Sequence, residues 1–354
     1  MTAGYAPEAD YASPEDIAID DAALAQLHKA YGARVTSLPP VVIVIAAYNE
    51  EGAVGPVLEA LPRSYCGLDA DVIVVADGCE DATAKESDAA GAIVADVPVN
   101  RGQGAALRLG YRIAREGGAT YIVTTDADGQ YNSAEIPAML QPIIDDRADF
   151  VTGSRRLGSQ ESKDPIRTAG TLFFARLVSL LTGQSLTDTT FGMRAMRAQV
   201  TGVLRLEQPQ YQASELLIGV ITHGYRVLEV PATIHRRTVG ESKKGSNPLY
   251  GLHIPGVNNL FYGARFMRVV IRTWFRERRR RSLAFPGGCC TTRQRVRVMQ
   301  HPPGKSVWLA DCLAPRGASP LGCGGMPLGR SGAATSGVAA ARAADSGEFS
   351  ANST

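Results

Sequence analysis

No stretch of this 354-residue chain approaches the roughly 18 consecutive apolar residues that a membrane-crossing helix requires. Nor does a basic start lead into an apolar run of the secretory kind. The expectation is therefore a cytoplasmic chain, free or peripheral at a membrane face. Net charge is scarce too: 37 Lys and Arg stand against 35 Asp and Glu, a balance of +2. That excludes bulk nucleic-acid binding and leaves electrostatic partners to local clusters. Cysteine is rare: Cys66 and Cys79 stand alone until Cys289, Cys290, Cys312 and Cys323, and no spacing among them fits a metal template. A G-x-x-x-x-G-K-[ST] loop is missing, and so is a complete G-x-G-x-x-G. These absences set aside the P-loop and dinucleotide-binding chemistries.

What is present starts at Pro39-Pro40. Residues 1 to about 38 are acidic and Ala-rich, and they read as a flexible segment with one weak helical stretch around Asp21 to Tyr31. Val41 to Ile45 is then a continuous β-branched run, the mark of a strand buried on both faces of a parallel sheet. Asp71 to Ala76, Tyr121 to Thr125 and Phe150 to Thr152 repeat the pattern after helical-period stretches, and Ile93-Val94 adds a short strand. This order predicts a doubly wound α/β domain over 39–248. A basic amphipathic helical segment follows over 249–281. Residues 282–354, rich in Gly, Pro, Ala, Ser and Arg without an apolar face, are expected to be disordered.

In such sheets ligands gather beyond the carboxyl ends of the strands, and the polar motifs sit there. Tyr48-Asn49-Glu50 follows the first strand, Asp77-Gly78-Cys79 the second and Asp126-Ala127-Asp128-Gly129-Gln130 the third. Asp126 and Asp128 can meet around one hard cation such as Mg2+ or Mn2+, or simply form a polar turn. Asn100 to Ala106 (NRGQGAA) reads as a glycine-rich loop opening a helix, suited to a phosphate or only to close packing. Asp77 can hold a ribose or base, or cap a helix. Downstream, Asp188 to Arg194 and Gln212 to Glu215 carry further acids. An extended strand over Val230 to Arg237 leads to the basic loop Gly240 to Gly245.

These pieces, in this order from Pro39 to Lys244, resemble glycosyltransferase family 2, most closely its dolichol-phosphate mannose synthase-like and polyprenyl-phosphate branch. Seven motifs carry the likeness: Ala47 to Glu51, Asp77 to Thr83, Asn100 to Ala106, Asp126 to Gln130, Gly153 to Arg155, Asp188 to Arg194 and Arg237 to Lys243. The resemblance implies a GT-A fold, a Rossmann-like, mostly parallel sheet flanked by helices. It also implies a nucleotide-sugar donor and a metal at Asp126, Asp128 and Gln130. Tyr48, Glu50 and Asp77 match nucleoside positions, with Ala47, Asn100, Gly102 and Gly104 alongside them. Arg155, Arg237, Ser242 and Lys243 match groups near the phosphates. The acceptor implied is a lipid phosphate, already ionised; a sugar hydroxyl would instead need a base, and Asp188 or Glu215 is the carboxylate for it.

The chain also departs from the pattern. Ala76 stands where the family often has the first of two aspartates, Thr171 follows Gly170 where asparagine is frequent, and Cys79 replaces a usual serine. In place of the branch's transmembrane helices there is a helical repeat of Met267, Val270, Ile271 and Trp274 with Arg265, Arg268, Arg272 and Arg276 opposite. With Arg278 to Arg281 it can lie on an anionic membrane, Trp274 and Phe275 at the interface, or pack on the domain. The apolar stretch Leu172 to Leu181 is a second candidate for the membrane face, or else a core helix.

Overall fold

The protein is described by a computed structural model covering residues 13–161, 165–207, 212–235, 257–284 and 297–298. The expected strands form as β1 (Val41–Ala47), β3 (Leu68–Asp77), β4 (Ile93–Val97), β5 (Tyr121–Asp126), β6 (Phe150–Gln160) and β8 (Val227–Ile234), joined by three that were not expected, β2 (Ser64–Tyr65), β7 (Arg194–Arg197) and β9 (Arg297–Val298). They build one sheet in the order β3-β1-β5-β7-β6-β8-β9, with β2 and β4 both on the outer edge of β3. The pairs β1 with β3 and β5, β3 with β4, and β6 with β8 are parallel. The short β7 runs antiparallel to both β5 and β6, so the sheet is mixed. β7 carries no β-branched residue, which is why its four-residue stretch did not register as a strand in the sequence.

The helices are α1 (Pro14–Tyr31), α2 (Ala33–Thr36), α3 (Val54–Glu59), α4 (Thr83–Ala89), α5 (Gln103–Glu116), α6 (Ile136–Ile144), α7 (Pro165–Thr182), α8 (Ala198–Thr201), α9 (Gln212–Thr222) and α10 (Val257–Ala284). Both faces of the sheet are covered, and β1 shows how. Its side chains alternate, so Val42 and Val44 join a core with α1, α5, α9 and α10, while Val41, Ile43 and Ile45 join another with α3 and α6. This is the physical reason for the unbroken β-branched run.

Two segments differ from the sequence reading. The region before Pro39 contains an 18-residue helix rather than a weak stretch, opened by a capping box of Ser13 and Asp16 with proline in its first turn. Ala23, Leu24 and Leu27 of α1 are buried, and each leucine contributes roughly 1.5–3 kcal/mol. The helix is part of the fold. In α10 the inward stripe is Phe266, Val269, Val270, Thr273 and Glu277, rotated from the face expected. Its rotation follows from Arg276, whose guanidinium is drawn inward to Glu207 (2.6 Å), Glu277 (2.9 Å) and Glu215 (3.1 Å). Trp274 is half-buried, donating its indole N–H to the Leu181 carbonyl at 2.7 Å, so it is anchored on α7. Phe275 remains 54% exposed. Among the described residues no helix is long and apolar enough to cross a membrane. The tail expected to be disordered lies outside the described residues, apart from the end of α10 and the two residues of β9.

Candidate active site at the carboxyl ends of β1, β3 and β5

Three turns leave the sheet side by side, and the first two are stitched together. The Glu50 N–H donates to Thr83 Oγ1 (2.7 Å), the Glu51 N–H to Asp81 (3.1 Å) and the Glu80 N–H to Asn49 Oδ1 (2.8 Å). Cys79 does the work of a hydroxyl residue here: its sulfur accepts from the Asn49 N–H at 3.4 Å and donates to the Ala47 carbonyl at 3.6 Å. Ala47 is buried, and Tyr48 projects with 39% exposure above the cleft edge.

Asp77 ends β3 almost wholly buried, and one of its oxygens, Oδ2, accepts the N–H groups of Arg101 (2.8 Å) and Gly102 (2.7 Å). These are the groups that a phosphate loop would offer to a ligand, so the glycine-rich loop is held from within by a carboxylate. Asn100 Oδ1 adds a contact to the Gly102 N–H at 3.0 Å. Asp77 thus braces the loop just ahead of α5, whose N-cap is Gly102 at φ 90°. Burial pushes its pKa above the usual carboxylate range despite those bonds. Its other oxygen, Oδ1, is buried without a hydrogen-bond partner. Gly78, at φ +70°, allows this contact, since a Cβ there would collide with the Asn100 backbone.

At the end of β5, Gln103 donates to Asp126 Oδ1 at 3.1 Å, linking the glycine-rich loop to the D-x-D turn. Asp128 is buried and accepts the Gln130 N–H at 3.1 Å. Gln130 is clasped to the end of β8: its side chain donates to the His235 carbonyl (3.2 Å), and the His235 N–H donates back to its carbonyl (2.9 Å). From the other side Gly192 reaches in, its N–H donating to Tyr131 Oη at 2.9 Å. Burial, and then the charge of Asp126, hold the Tyr131 hydroxyl far above the normal phenol range, so it stays protonated.

Comparisons with known proteins fit this geometry. The profile of "Glycosyl transferase family 2" matches residues 42–204. A dolichyl-phosphate hexose transferase of Haloferax volcanii is 34% identical over 206 residues, 57% of this chain and 85% of that protein. The chain belongs to glycosyl transferase family 2. Another member, the UDP-N-acetylglucosamine–dolichyl-phosphate N-acetylglucosaminyltransferase of Methanococcus voltae, is 31% identical over 235 residues, 60% of this chain and 92% of that protein. Among solved structures, glucosyl-3-phosphoglycerate synthase from Mycobacterium tuberculosis, in complex with uridine diphosphate, superposes with a TM-score of 0.50 at 18% identity. It covers 72% of this chain and 83% of that one, and the likeness shows the GT-A-like fold.

In this glycosyltransferase the two acids considered as bases are sequestered. Asp188 is fully buried: Oδ2 accepts from Arg155 Nε at 2.6 Å, and Oδ1 accepts from the Thr190 N–H at 3.0 Å. Glu215, also buried, accepts from Arg276 at 3.1 Å and from the Glu207 N–H at 3.1 Å. Each of these carboxylates is thus held by a guanidinium and by a backbone N–H. Arg155 lies beside Asp188 and also donates to Thr190 Oγ1 at 3.0 Å. Arg237, Ser242 and Lys243 lie outside the described residues.

Several supporting residues escaped the sequence reading. Glu229, at the centre of β8 and fully buried, accepts the N–H groups of Thr187 (2.8 Å) and Asp188 (2.9 Å) and so fixes the loop that holds Arg155. Burial raises its pKa to about 7, against the pull of those two N–H groups. An acid inside the apolar run of β8 was the available signal. Arg194 is buried beneath the site; desolvation lowers its pKa, while the nearby hydroxyls of Tyr111 and Tyr131 and the acids Asp126 and Asp188 oppose the drop. Among the described residues no three His, Cys, Asp or Glu side chains form a ready-made metal cage. Two carboxylates beside an amide still suit Mg2+ or Mn2+, which take their remaining oxygens from water and substrate phosphates.

Proposed function

We propose that this family 2 glycosyltransferase moves a sugar from a UDP- or GDP-linked donor to a polyprenyl or dolichyl phosphate, with inversion at the anomeric carbon. The observation that supports the reading is the engagement of Asp188 by Arg155 and of Glu215 by Arg276, which disfavours either acid as a general base. A hydroxyl acceptor needs such a base, whereas a phosphate oxygen is already anionic at neutral pH and attacks without one. The names of the Haloferax and Methanococcus relatives, both acting on dolichyl phosphate, support the same acceptor class.

In this reading Tyr48, Glu50 and Asp77 receive the nucleoside, and Asn100, Gly102 and Gly104 shape the wall beside it. Asp126 and Asp128, with Gln130, hold the divalent ion, which when bound neutralises charge on the departing diphosphate. Arg155 is assigned to the phosphates, and Arg237, Ser242 and Lys243, outside the described residues, carry the same expectation from the sequence. The phosphate oxygen forms its bond to the anomeric carbon as the bond to the nucleoside diphosphate breaks, and one displacement from the opposite side inverts the centre. Exposed Phe173 and Leu180 on α7, and Ile271 and Phe275 on α10, sit with exposed Arg268, Arg272 and Arg279, a combination suited to peripheral contact with an anionic membrane.

The test is to incubate membranes with labelled nucleotide sugars and either the unmodified protein or Asp128→Ala. Label is expected in a phosphoprenol fraction with the unmodified protein and at background with the variant. Equal labelling by the two removes the metal assignment, and label appearing only in saccharide removes the acceptor assignment.

A further inference from the structure

A buried charge cluster joins α1 to the glycine-rich loop. Arg101, its side chain 7% exposed, donates from Nη1 to Asp20 Oδ1 at 2.8 Å and to the Asp16 carbonyl at 3.3 Å. Its Nε lies 3.6 Å from Asp77 Oδ1, too far for a hydrogen bond. Arg101 Nε and Nη2 and Asp77 Oδ1 are all buried without a hydrogen-bond partner. Arg108 lies against the same acids, 3.6 Å from both Asp16 and Asp20. Two guanidinium groups thus face the three carboxylates of Asp16, Asp20 and Asp77. A buried cation with an idle N–H beside a buried anion with an idle oxygen is a costly arrangement. It persists because Asp20 takes the guanidinium by its far nitrogen. The helix that does this precedes residue 42, where the match to the family begins.

We propose that Asp20 is a positioning residue for the donor site: by drawing Arg101 toward α1, it keeps the buried Asp77 Oδ1 without a hydrogen bond, available to a donor of the incoming nucleoside. The proposal rests on the reading of Asp77 as a nucleoside contact. Without the pull of Asp20, Arg101 closes the remaining gap to Asp77 and occupies the oxygen that the ligand requires. Asp20→Asn keeps the shape of the side chain and leaves two carboxylates facing two cations, so the variant is expected to fold.

The experiment is calorimetric titration of the full chain with UDP and with GDP in the presence of manganese. Asp20→Asn is expected to weaken whichever nucleotide binds by about tenfold, and adding Arg101→Gln is expected to restore affinity to within about threefold, because the competing guanidinium is gone. Asp16→Asn, whose carboxylate lies 3.5 Å from Arg101, gives a smaller loss and replaces Asp20→Asn should that variant fail to fold. Affinity in a folded Asp20→Asn within about twofold of the unmodified protein, with only its melting temperature lowered, overturns the proposal. So does a double variant as weak as Asp20→Asn. Failure of the unmodified protein to bind either nucleotide instead removes the donor-site reading, and this proposal with it.

Discussion

Replacing Glu229 with glutamine changes one atom beneath the site, and its effect follows from where that atom sits. The side chain is fully buried on β8, and burial lifts its pKa from an ordinary 4.5 to about 7. A carboxyl group whose folded pKa is raised binds more protons in the native than in the unfolded state between those values. Its contribution to stability is therefore present at low pH and is lost as pH rises through about 7. Linkage between 4.5 and about 7 gives a loss of about 2.5 kcal/mol from pH 5 to pH 8. Glutamine does not titrate, and its carbonyl can keep the bonds that Oε1 now accepts from Thr187 (3.0 Å) and Asp188 (2.9 Å). Urea unfolding at pH 5, 6, 7 and 8 should show the stability of the unmodified protein falling relative to Glu229→Gln by that amount. Parallel pH profiles for the two proteins would refute the reasoning.

Gly192→Ala would drive a Cβ into the Tyr131 hydroxyl and to 3.1 Å from Asp126 Oδ2. It should cost about 1–3 kcal/mol and most of the sugar transfer, whereas Gly170→Ala, with open space around it, should leave label transfer intact. Glu215→Gln removes a buried partner of Arg276, which keeps Glu207 and Glu277, so a loss of only about 1.5 kcal/mol is expected with turnover retained. Collapse of turnover at an unchanged melting temperature would return Glu215 to catalysis. Leu180→Ser combined with Phe275→Ser should reduce sedimentation with phosphatidylserine vesicles, and added salt should reduce that of the unmodified protein; no change in either would exclude α7 and α10 as the lipid face.

Motif positions and the main parallel strands were legible because both rest on local rules: β-branched runs announce strands buried on two sides, and polar residues at strand ends announce the cleft. What the polar residues do was less legible, because partners come from far along the chain. One oxygen of Asp77 binds the backbone of residues 101–102 and the other is buried without a hydrogen bond, and nothing near it in sequence states that division. Asp188 and Glu215 looked like spare acids until Arg155 and Arg276 were placed beside them. Asp20 carried a sign that was overlooked: with Ala23, Leu24 and Leu27 it falls on one helical face, and an acid in an apolar stripe asks for a buried cation. The register of α10 was misjudged because an arginine was assigned to solvent, when the attraction of three acids outweighed its hydration.

The four residues of β7 have an effect out of proportion to their number. Arg194 shares a rung with Thr124 of β5 and with Thr152 of β6, so the two halves of the sheet meet through it. Residues 183–193, which lead into it, have no regular structure and by the usual rule should accept added or deleted residues easily. Here a change of one residue would exchange Arg194 with Ala195 across the sheet, carrying Gly192 away from Asp126 and Asp188 away from Arg155. Natural variation in this stretch should therefore be confined to substitutions, with its length held constant.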